Sequence, residues 1–211
     1  LAQFRRDLEH CNTTDVGKRV LVTTLLEPLE QRLEQGQFDD PQTEIELRAS
    51  LAQTYRHPLA MHEEAVEQQE RVVSLLESAL GPEAPATLVN RAAIATILTE
   101  GGRFREANEL LMGILEPIQR VMGTDAVLLE NVHQALADTL RNLGRPQESA
   151  AMQREVLDLK ERRLGPGHHD CLVQRNNLAS ALANLGGLEG AEAVMNPGVL
   201  AVIKLLLLML M

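Results

Sequence analysis

Apolar residues in the second half of the chain recur at the spacing of an amphipathic helix. They stand at Leu128, Val132, Leu136, Leu140 and Leu143. Steps of four and three place side chains on one face of a helix. Gly144 follows this stripe, and Pro146 suits the first turn of a second helix because its missing N–H would have no intrahelical partner there. The second helix has its own stripe at Ala150, Val156, Leu157 and Leu164. The pattern therefore predicts a helical hairpin.

The same helix-turn-helix pattern occurs in two units before this hairpin and in one unit after it. The first unit, residues 43–79, has a turn at His57-Pro58-Leu59 that carries one extra residue and lacks the turn glycine. In the next unit Pro117 lies inside the second helix, and we expect a kink because the ring removes a hydrogen bond and clashes with a carbonyl. The last unit begins at residues 171–185, but its second helix has only residues 188–195 before the pattern ends.

Two series of markers give these hairpins a common period of 42 residues. Leu80-Gly81 recurs as Met122-Gly123 and Leu164-Gly165, at positions 80, 122 and 164, and a glycine stands at 102, 144 and 186. Periods of about 20 to 50 residues are typical of solenoids, in which each unit buries its apolar face against its neighbours. Alternating β-branched runs are absent from the sequence. We therefore expect an all-α solenoid of about four hairpins.

These markers resemble those of a known repeat family. Together with Asn176-Asn177-Leu178-Ala179 and Gly102-Arg103-Phe104-Arg105-Glu106-Ala107, they are similar to the tetratricopeptide repeat of the kinesin-light-chain type. The resemblance covers residues 43–195 and implies a right-handed superhelical solenoid of tetratricopeptide hairpins. The chain departs from the repeat pattern at Pro146, Leu188, Ser149 and Gly190. Residues 25–55 also resemble the region that leads into the repeats of bacterial serine/threonine-kinase-linked proteins, which would make the chain a sensor or adaptor piece.

The repeats divide the chain into three parts. Residues 1–36 are expected to form capping helices that cover the first repeat, residues 43–195 the repeat array, and residues 196–211 an apolar C-terminal tail. Only Lys204 is charged between residues 199 and 211, and this stretch is shorter than the roughly 20 residues of a membrane-spanning helix. The tail is open to three interpretations: a helix that plugs the solenoid end, a truncated membrane anchor, or sequence outside the natural reading frame.

The beginning of the chain bears on its location. The first residue is Leu, and no basic segment followed by an apolar core and a small-residue cleavage site is present. We therefore expect no signal peptide, a cytoplasmic location, and a chain that is a fragment or a processed product.

The family resemblance implies a binding surface. In tetratricopeptide proteins the first helices of successive hairpins line a concave groove that holds a peptide or a helix of a partner protein. Carried over to this chain, the candidate groove residues are Gln53, Arg56, Thr96, Glu100, Asn131, Gln134, Asp138, Arg141, Asn142, Asn176, Ser180 and Asn184. Amides can both donate and accept hydrogen bonds, so they can hold a peptide backbone in either direction. The alternative is that these residues are solvated helix faces.

One known mode of recognition is disfavoured. Some relatives hold a terminal carboxylate with a clamp of lysine and asparagine. The matching positions here are Ala49, Ala92, Gln134 and Asn176, none of them a lysine. Binding of chaperone C-termini is therefore not expected.

Composition excludes other functions. With 30 acidic and 20 basic residues, one Tyr, three Phe and no Trp, the chain has neither a basic surface for phosphates nor aromatic platforms for bases, so no nucleic-acid partner is expected.

Cys11 and Cys171 are interpreted as buried, reduced thiols. His168-His169-Asp170-Cys171 is interpreted as a helix start with Asp170 as the N-cap rather than a metal site. We expect no metal, no cofactor and no enzymatic activity.

The leading hypothesis is a noncatalytic protein–protein interaction module that binds a peptide or helix in the groove. One alternative is a structural module that forms homo-oligomers through its apolar C-terminal end. The other is a regulatory fragment of a larger bacterial kinase or signalling protein.

Overall fold

The structure is a computed structural model that describes residues 13–36, 40–123 and 127–185. Within these ranges all regular secondary structure is helical. The chain divides into two compact units, Leu1–Leu75 and Leu76–Met211. The second helix expected for the last hairpin, the tail at residues 196–211 and any helix before Thr13 lie outside the described residues.

The described part of the first unit contains short helices followed by a hairpin. Helix α1 spans Thr13–Leu21, a π-helical turn spans Val22–Leu26, and α2 spans Glu27–Glu34. The hairpin consists of α3, Pro41–Arg56, and α4, His62–Leu80, which runs past the boundary of the unit. The helices at residues 13–34 lie where capping helices are predicted, and their capping role stays a prediction.

Local sequence fixes the start of α3. The Asp40 carboxylate accepts hydrogen bonds from the backbone N–H of Gln42 at 3.2 Å and of Thr43 at 3.1 Å, and from the Thr43 hydroxyl at 2.8 Å. These bonds satisfy N–H groups that have no intrahelical partner, and they lower the pKa of Asp40 because they favour its ionised form. Pro41 follows in the first turn, where a proline costs no hydrogen bond.

Within its described residues, the second unit contains two complete hairpins and the first helix of the next. Helices α5, Pro85–Glu100, and α6, Phe104–Met122, form one hairpin; α7, Val127–Asn142, and α8, Pro146–Leu164, form the next; α9 is His169–Asn184. Helix α7 packs on α5, α6 and α8, and α9 packs on α8. The core of α5 to α8 contains Leu88, Ala95, Leu111, Ile114, Ile118, Leu129, Val132, Leu136 and Leu159. The helices and their apolar stripes therefore agree with the all-α prediction.

The turns between paired helices repeat one backbone conformation. Gly102 and Gly144, one period apart, have φ of 77° and 72°. Ala60 stands one period before Gly102, and its φ is 56°. A left-handed φ is readily adopted by glycine but strained for alanine. The irregular first turn therefore shares the left-handed residue of the other turns without the glycine that suits it.

Two local predictions concern the proline inside α6 and the N-cap of α9. Helix α6 continues through Pro117 to Met122, and the expected kink stays a prediction. The prediction that Asp170 is the N-cap of α9 is wrong, because the cap is His168, whose Nδ1 accepts a hydrogen bond from the Asp170 backbone N–H at 3.2 Å. The helix begins at His169, so Asp170 lies in its first turn, where a negative charge interacts favourably with the helix dipole.

Candidate partner-binding site

An open cavity of about 540 Å³ lies among three helices of the second unit. Its lining residues come from α7, α8 and α9: Gln134, Arg141, Pro146, Ser149, Gln153, Gln174, Asn177, Ser180, Ala181 and Leu185, which follows α9. Ligand pockets in proteins commonly measure about 300 to 1,000 Å³. Most of the lining side chains carry an amide or a hydroxyl, so hydrogen bonding dominates what this cavity can do.

The buried part of the lining is held by hydrogen bonds between helices. Ser149 on α8 donates its hydroxyl to the backbone carbonyl of Ala137 on α7 at 2.6 Å. Gln174 on α9 donates its Nε2 to the backbone carbonyl of Gln153 on α8 at 3.3 Å. All three side chains, of Ser149, Gln153 and Gln174, are buried. These bonds connect α7, α8 and α9 beneath the cavity and limit the movement of its lining.

Gln153 stands out within this set. Its side chain is 6% exposed, and its Oε1 accepts no hydrogen bond from the part of the chain that the structure describes. A buried acceptor without a donor costs free energy, and native structures rarely keep one without a reason. One repeat period earlier the corresponding residue is Leu111, which is buried in the core. The hairpin of α7 and α8 therefore places a polar group where the hairpin of α5 and α6 packs a leucine.

The outer part of the lining carries charges that are already paired. On α7, Gln134 donates Nε2 to Asp138 Oδ2 at 3.3 Å, and the Arg141 guanidinium lies 3.0 Å from Asp138 Oδ1. Both charged side chains are partly exposed to solvent, so the ion pair contributes little to stability. Its effect is to hold Gln134 and Arg141 in place and to neutralise the carboxylate next to the cavity.

Three of the residues predicted for the groove line this cavity: Gln134, Arg141 and Ser180. Asp138 contacts two of them. The α9 lining includes Asn177 rather than its neighbour Asn176, which is exposed. Helices α7 and α9 lie on opposite sides of the cavity, so each contributes a different face to the lining. The same repeat position therefore does not line the cavity on both α7 and α9.

The other predicted groove residues lie elsewhere. Gln53 and Arg56 are on α3 in the first unit, and Thr96 and Glu100 are on α5, where Thr96 donates its hydroxyl to the Ala92 carbonyl at 3.1 Å. Asn131 is exposed on α7, and Asn142 Nδ2 donates to the Asp138 carbonyl at 2.8 Å. The side chain of Asn184 lies outside the described part of the structure. Whether these residues contact a partner stays a prediction.

Ser149, Gln153, Gln174 and Asn177 line the cavity but were not among the predicted residues. A signal for two of them exists in the sequence. Alignment of the hairpins puts Ser149 and Gln153 on α8 opposite Ala107 and Leu111 on α6, both of which are buried. Polar residues at core positions of one repeat point to a local hydrogen-bonding role, and the repeat alignment could have found them.

The segment His168-His169-Asp170-Cys171 has a structural role. Cys171 is fully buried, and its thiol donates to the Gly165 carbonyl at 3.3 Å. Burial raises the pKa of Cys171, which disfavours the reactive thiolate. Within residues 13–36, 40–123 and 127–185, no three His, Cys, Asp or Glu side chains are grouped so that they could hold a metal ion. Over the same residues, no helix combines the length and the apolar composition that crossing a bilayer requires.

Comparisons with known proteins agree with the repeat analysis. A family model of the tetratricopeptide repeat matches residues 134–170, which include most of α7 and all of α8. The crystal structure of a putative kinesin light chain with nearly identical tetratricopeptide-like repeats from Podosopora anserina is 23% identical, with a TM-score of 0.63, and the match covers 74% of each chain. The protein BtubC (BKLC) from P. vanneervenii is 18% identical over 84% of this chain and 71% of its own, with a TM-score of 0.65.

No curated protein matches the sequence. The similarity to both structures confirms the predicted all-α solenoid fold, and together with the repeat match it confirms the predicted resemblance to kinesin-light-chain-like tetratricopeptide repeats. The similarity of residues 25–55 to kinase-linked proteins stays a prediction. Residues 134–170 match the tetratricopeptide repeat model, and the chain has the helical solenoid fold of the two similar structures.

Proposed function

We propose that this chain is a noncatalytic interaction module that binds a segment of a partner protein in the cavity among α7, α8 and α9. Tetratricopeptide repeats generally mediate protein–protein interactions and are typically scaffolds. The observation that carries the proposal is the set of amide and hydroxyl side chains around an open cavity, several of them buried and held by bonds between helices.

The chemistry of the lining favours a peptide over a small charged ligand. Gln134, Gln174 and Asn177 can each donate and accept hydrogen bonds, which is what the alternating N–H and C=O groups of a peptide require. The charge of Arg141 is balanced by Asp138, so the cavity offers no strong charge of either sign. Each hydrogen bond contributes about 0.5 to 1.5 kcal/mol net, so we expect modest affinity gathered from several contacts.

A quantitative pull-down tests the proposal. The chain is compared with a variant that carries Gln134→Arg and Asn177→Arg, which fill the cavity from α7 and α9. The control carries Ala151→Arg and Glu155→Arg, two exposed positions on α8 outside the cavity lining. Circular dichroism verifies that all three proteins are equally helical.

The proposal predicts that one protein is recovered by the wild type and by the control but not by the cavity variant. Equal recovery by all three would contradict it. The alternative of oligomerisation depends on residues 196–211, outside the described residues, and stays a prediction.

A further inference from the structure

We infer that the cavity selects a carboxamide side chain, that of asparagine or glutamine, in the bound segment, and that Gln153 is the residue that recognises it. This inference rests on the proposed function and specifies the ligand of the same cavity. It starts from the one buried lining residue whose acceptor atom has no donor within the described residues.

The position of Gln153 permits this recognition. The residue lines the cavity, although its Oε1 is turned away from solvent. The last torsion of a glutamine side chain is broad, because it joins a tetrahedral carbon to a planar amide. Rotation about that bond presents Oε1 to a ligand without moving α8, whose backbone at Gln153 is held by Gln174.

The charge of the surroundings excludes the charged donors and acceptors. A lysine side chain would satisfy Oε1, but the nearby carboxylate of Asp138 is already paired with Arg141, so neither of these groups would balance the added charge. A carboxylate side chain would place an acceptor against Oε1 and leave that atom without a donor. An apolar side chain would also leave Oε1 without a donor and would shield it from water. An unsatisfied polar group of this kind costs free energy.

A carboxamide meets every one of these conditions. Two carboxamides can form a reciprocal pair in which each donates one N–H to the oxygen of the other. The ligand amide would therefore satisfy Gln153 Oε1 and accept a hydrogen bond from Nε2 in return, with no net charge brought into the cavity. Because both hydrogen bonds depend on Gln153, its replacement should remove the selectivity and leave the remaining contacts of the segment intact.

The test uses four blocked pentapeptides, acetyl-Ala-Gly-X-Gly-Ala-N-methylamide with X as Gln, Met, Glu or Lys, titrated to millimolar concentration, so that only the glutamine peptide carries a primary carboxamide. Binding is followed through the backbone and side-chain amide NMR signals of the uniformly labelled full chain. We expect the glutamine peptide to bind at least about tenfold more tightly than the other three, a difference of about 1.4 kcal/mol. The shifted signals should include the side-chain amide of Gln153.

Two variants localise the effect. Gln153→Met keeps the length of the side chain, removes its amide and should bind all four peptides equally. Gln147→Met makes the same change at an exposed position of α8 outside the lining and should keep the preference for glutamine. A preference that survives in Gln153→Met would overturn the inference, because recognition would then depend on another residue.

The outcomes separate this inference from the proposed function. Binding of the four peptides with equal affinity, and with shifts in the cavity, would overturn the selectivity and leave the binding function standing. Titrations in which none of the peptides shifts a lining residue would contradict both.

Discussion

Thr87 and Cys171 occupy the same position in repeats that are two periods apart, and each holds the loop before its helix in the same way. The Thr87 hydroxyl donates to the Gly81 carbonyl at 2.9 Å, and the Cys171 thiol donates to the Gly165 carbonyl at 3.3 Å. Both side chains are fully buried. The cysteine therefore makes a weaker version of the threonine's bond to the loop, and its role is structural.

This equivalence predicts the effect of substituting Cys171. Cys171→Thr should keep the bond to Gly165 and be more stable than Cys171→Val by about 1 kcal/mol, because valine has the same shape as threonine but no donor. Urea denaturation of the two variants measures the difference. Equal stability would show that the bond contributes nothing.

The thiol of Cys171 should also be unreactive while the protein is folded. Burial raises its pKa and removes it from solvent, and the thiolate is the reactive form. In a Cys11→Ser background, we expect alkylation to be slow in buffer and fast in denaturing urea. Alkylation at comparable rates in the two conditions would contradict the burial of this residue.

The strained turn at Ala60 offers a direct gain in stability. Ala60→Gly should stabilise the protein by about 0.5 to 1 kcal/mol, because the relief of a left-handed alanine exceeds the added entropy of the unfolded chain. The matched control is Gly102→Ala, at the equivalent turn. No atom lies within 4 Å of the added Cβ there, so its expected cost of about 1 to 2 kcal/mol comes from the backbone alone.

Thermal or urea unfolding measures whether each of the two turn variants gains or loses stability. A loss of stability on Ala60→Gly would mean that residue 60 does not share the left-handed conformation of the glycines in the later turns.

A half-buried carboxylate in the first unit gives a pH dependence. Glu30 on α2 accepts a hydrogen bond from Gln68 Nε2 on α4 at 2.9 Å. Burial raises the pKa of Glu30, with added repulsion from Glu67 and Glu34, although bonds from Tyr55 and Gln68 partly offset the rise. The folded state therefore retains this proton at a pH where the unfolded chain has lost it. Stability contributed by the protonated form is lost as the pH rises through the folded pKa.

The stability of Glu30→Gln relative to wild type should consequently increase between about pH 4 and pH 7, because the amide cannot ionise. Urea denaturation at several pH values measures this difference. Glu63→Gln, at an exposed position of α4, serves as the control and should show a smaller change. If the stability of Glu30→Gln relative to wild type falls as the pH rises, the pKa of Glu30 is lowered rather than raised on folding.

The proposed role of Gln153 predicts a conflict between stability and binding. Gln153→Leu should increase stability by about 1 kcal/mol, because it removes a buried acceptor without a donor and restores the residue type found at Leu111. The same change should weaken binding of the partner. A loss of stability in urea denaturation would mean that the glutamine is retained for packing rather than for a ligand.

Much of the fold could be predicted from the sequence, because the repeats restate the same information at a fixed period. The stripe from Leu128 to Leu143 and the glycines at 102 and 144 specify helices and turns that the structure contains. The choice between neighbouring residues for a helix N-cap was harder to predict. Asp170 is a good N-cap by type, but the helix begins two residues earlier than that cap would require, at His169, and His168 is the N-cap.

The site was less accessible to sequence analysis than the fold. Of the residues predicted by equivalent positions, Gln134, Arg141 and Ser180 line the cavity. The buried Gln153 and Gln174 also line it but were not predicted, because their place depends on how neighbouring helices are offset. Alignment of α8 with α6 reveals the exchange of Leu111 for Gln153. Only the packed helices reveal that Gln174 reaches the backbone of Gln153.

Site-directed photo-crosslinking tests the central claim most directly. A p-benzoylphenylalanine is placed at Ser180, in the cavity lining, or at Arg154, an exposed position of α8 outside it. The account predicts that the probe at 180 crosslinks one protein through a defined segment, that the probe at 154 does not, and that Gln134→Arg with Asn177→Arg abolishes the crosslink. Crosslinking of that protein from position 154 with equal yield, or only from position 154, would contradict the assignment of the cavity as the binding site.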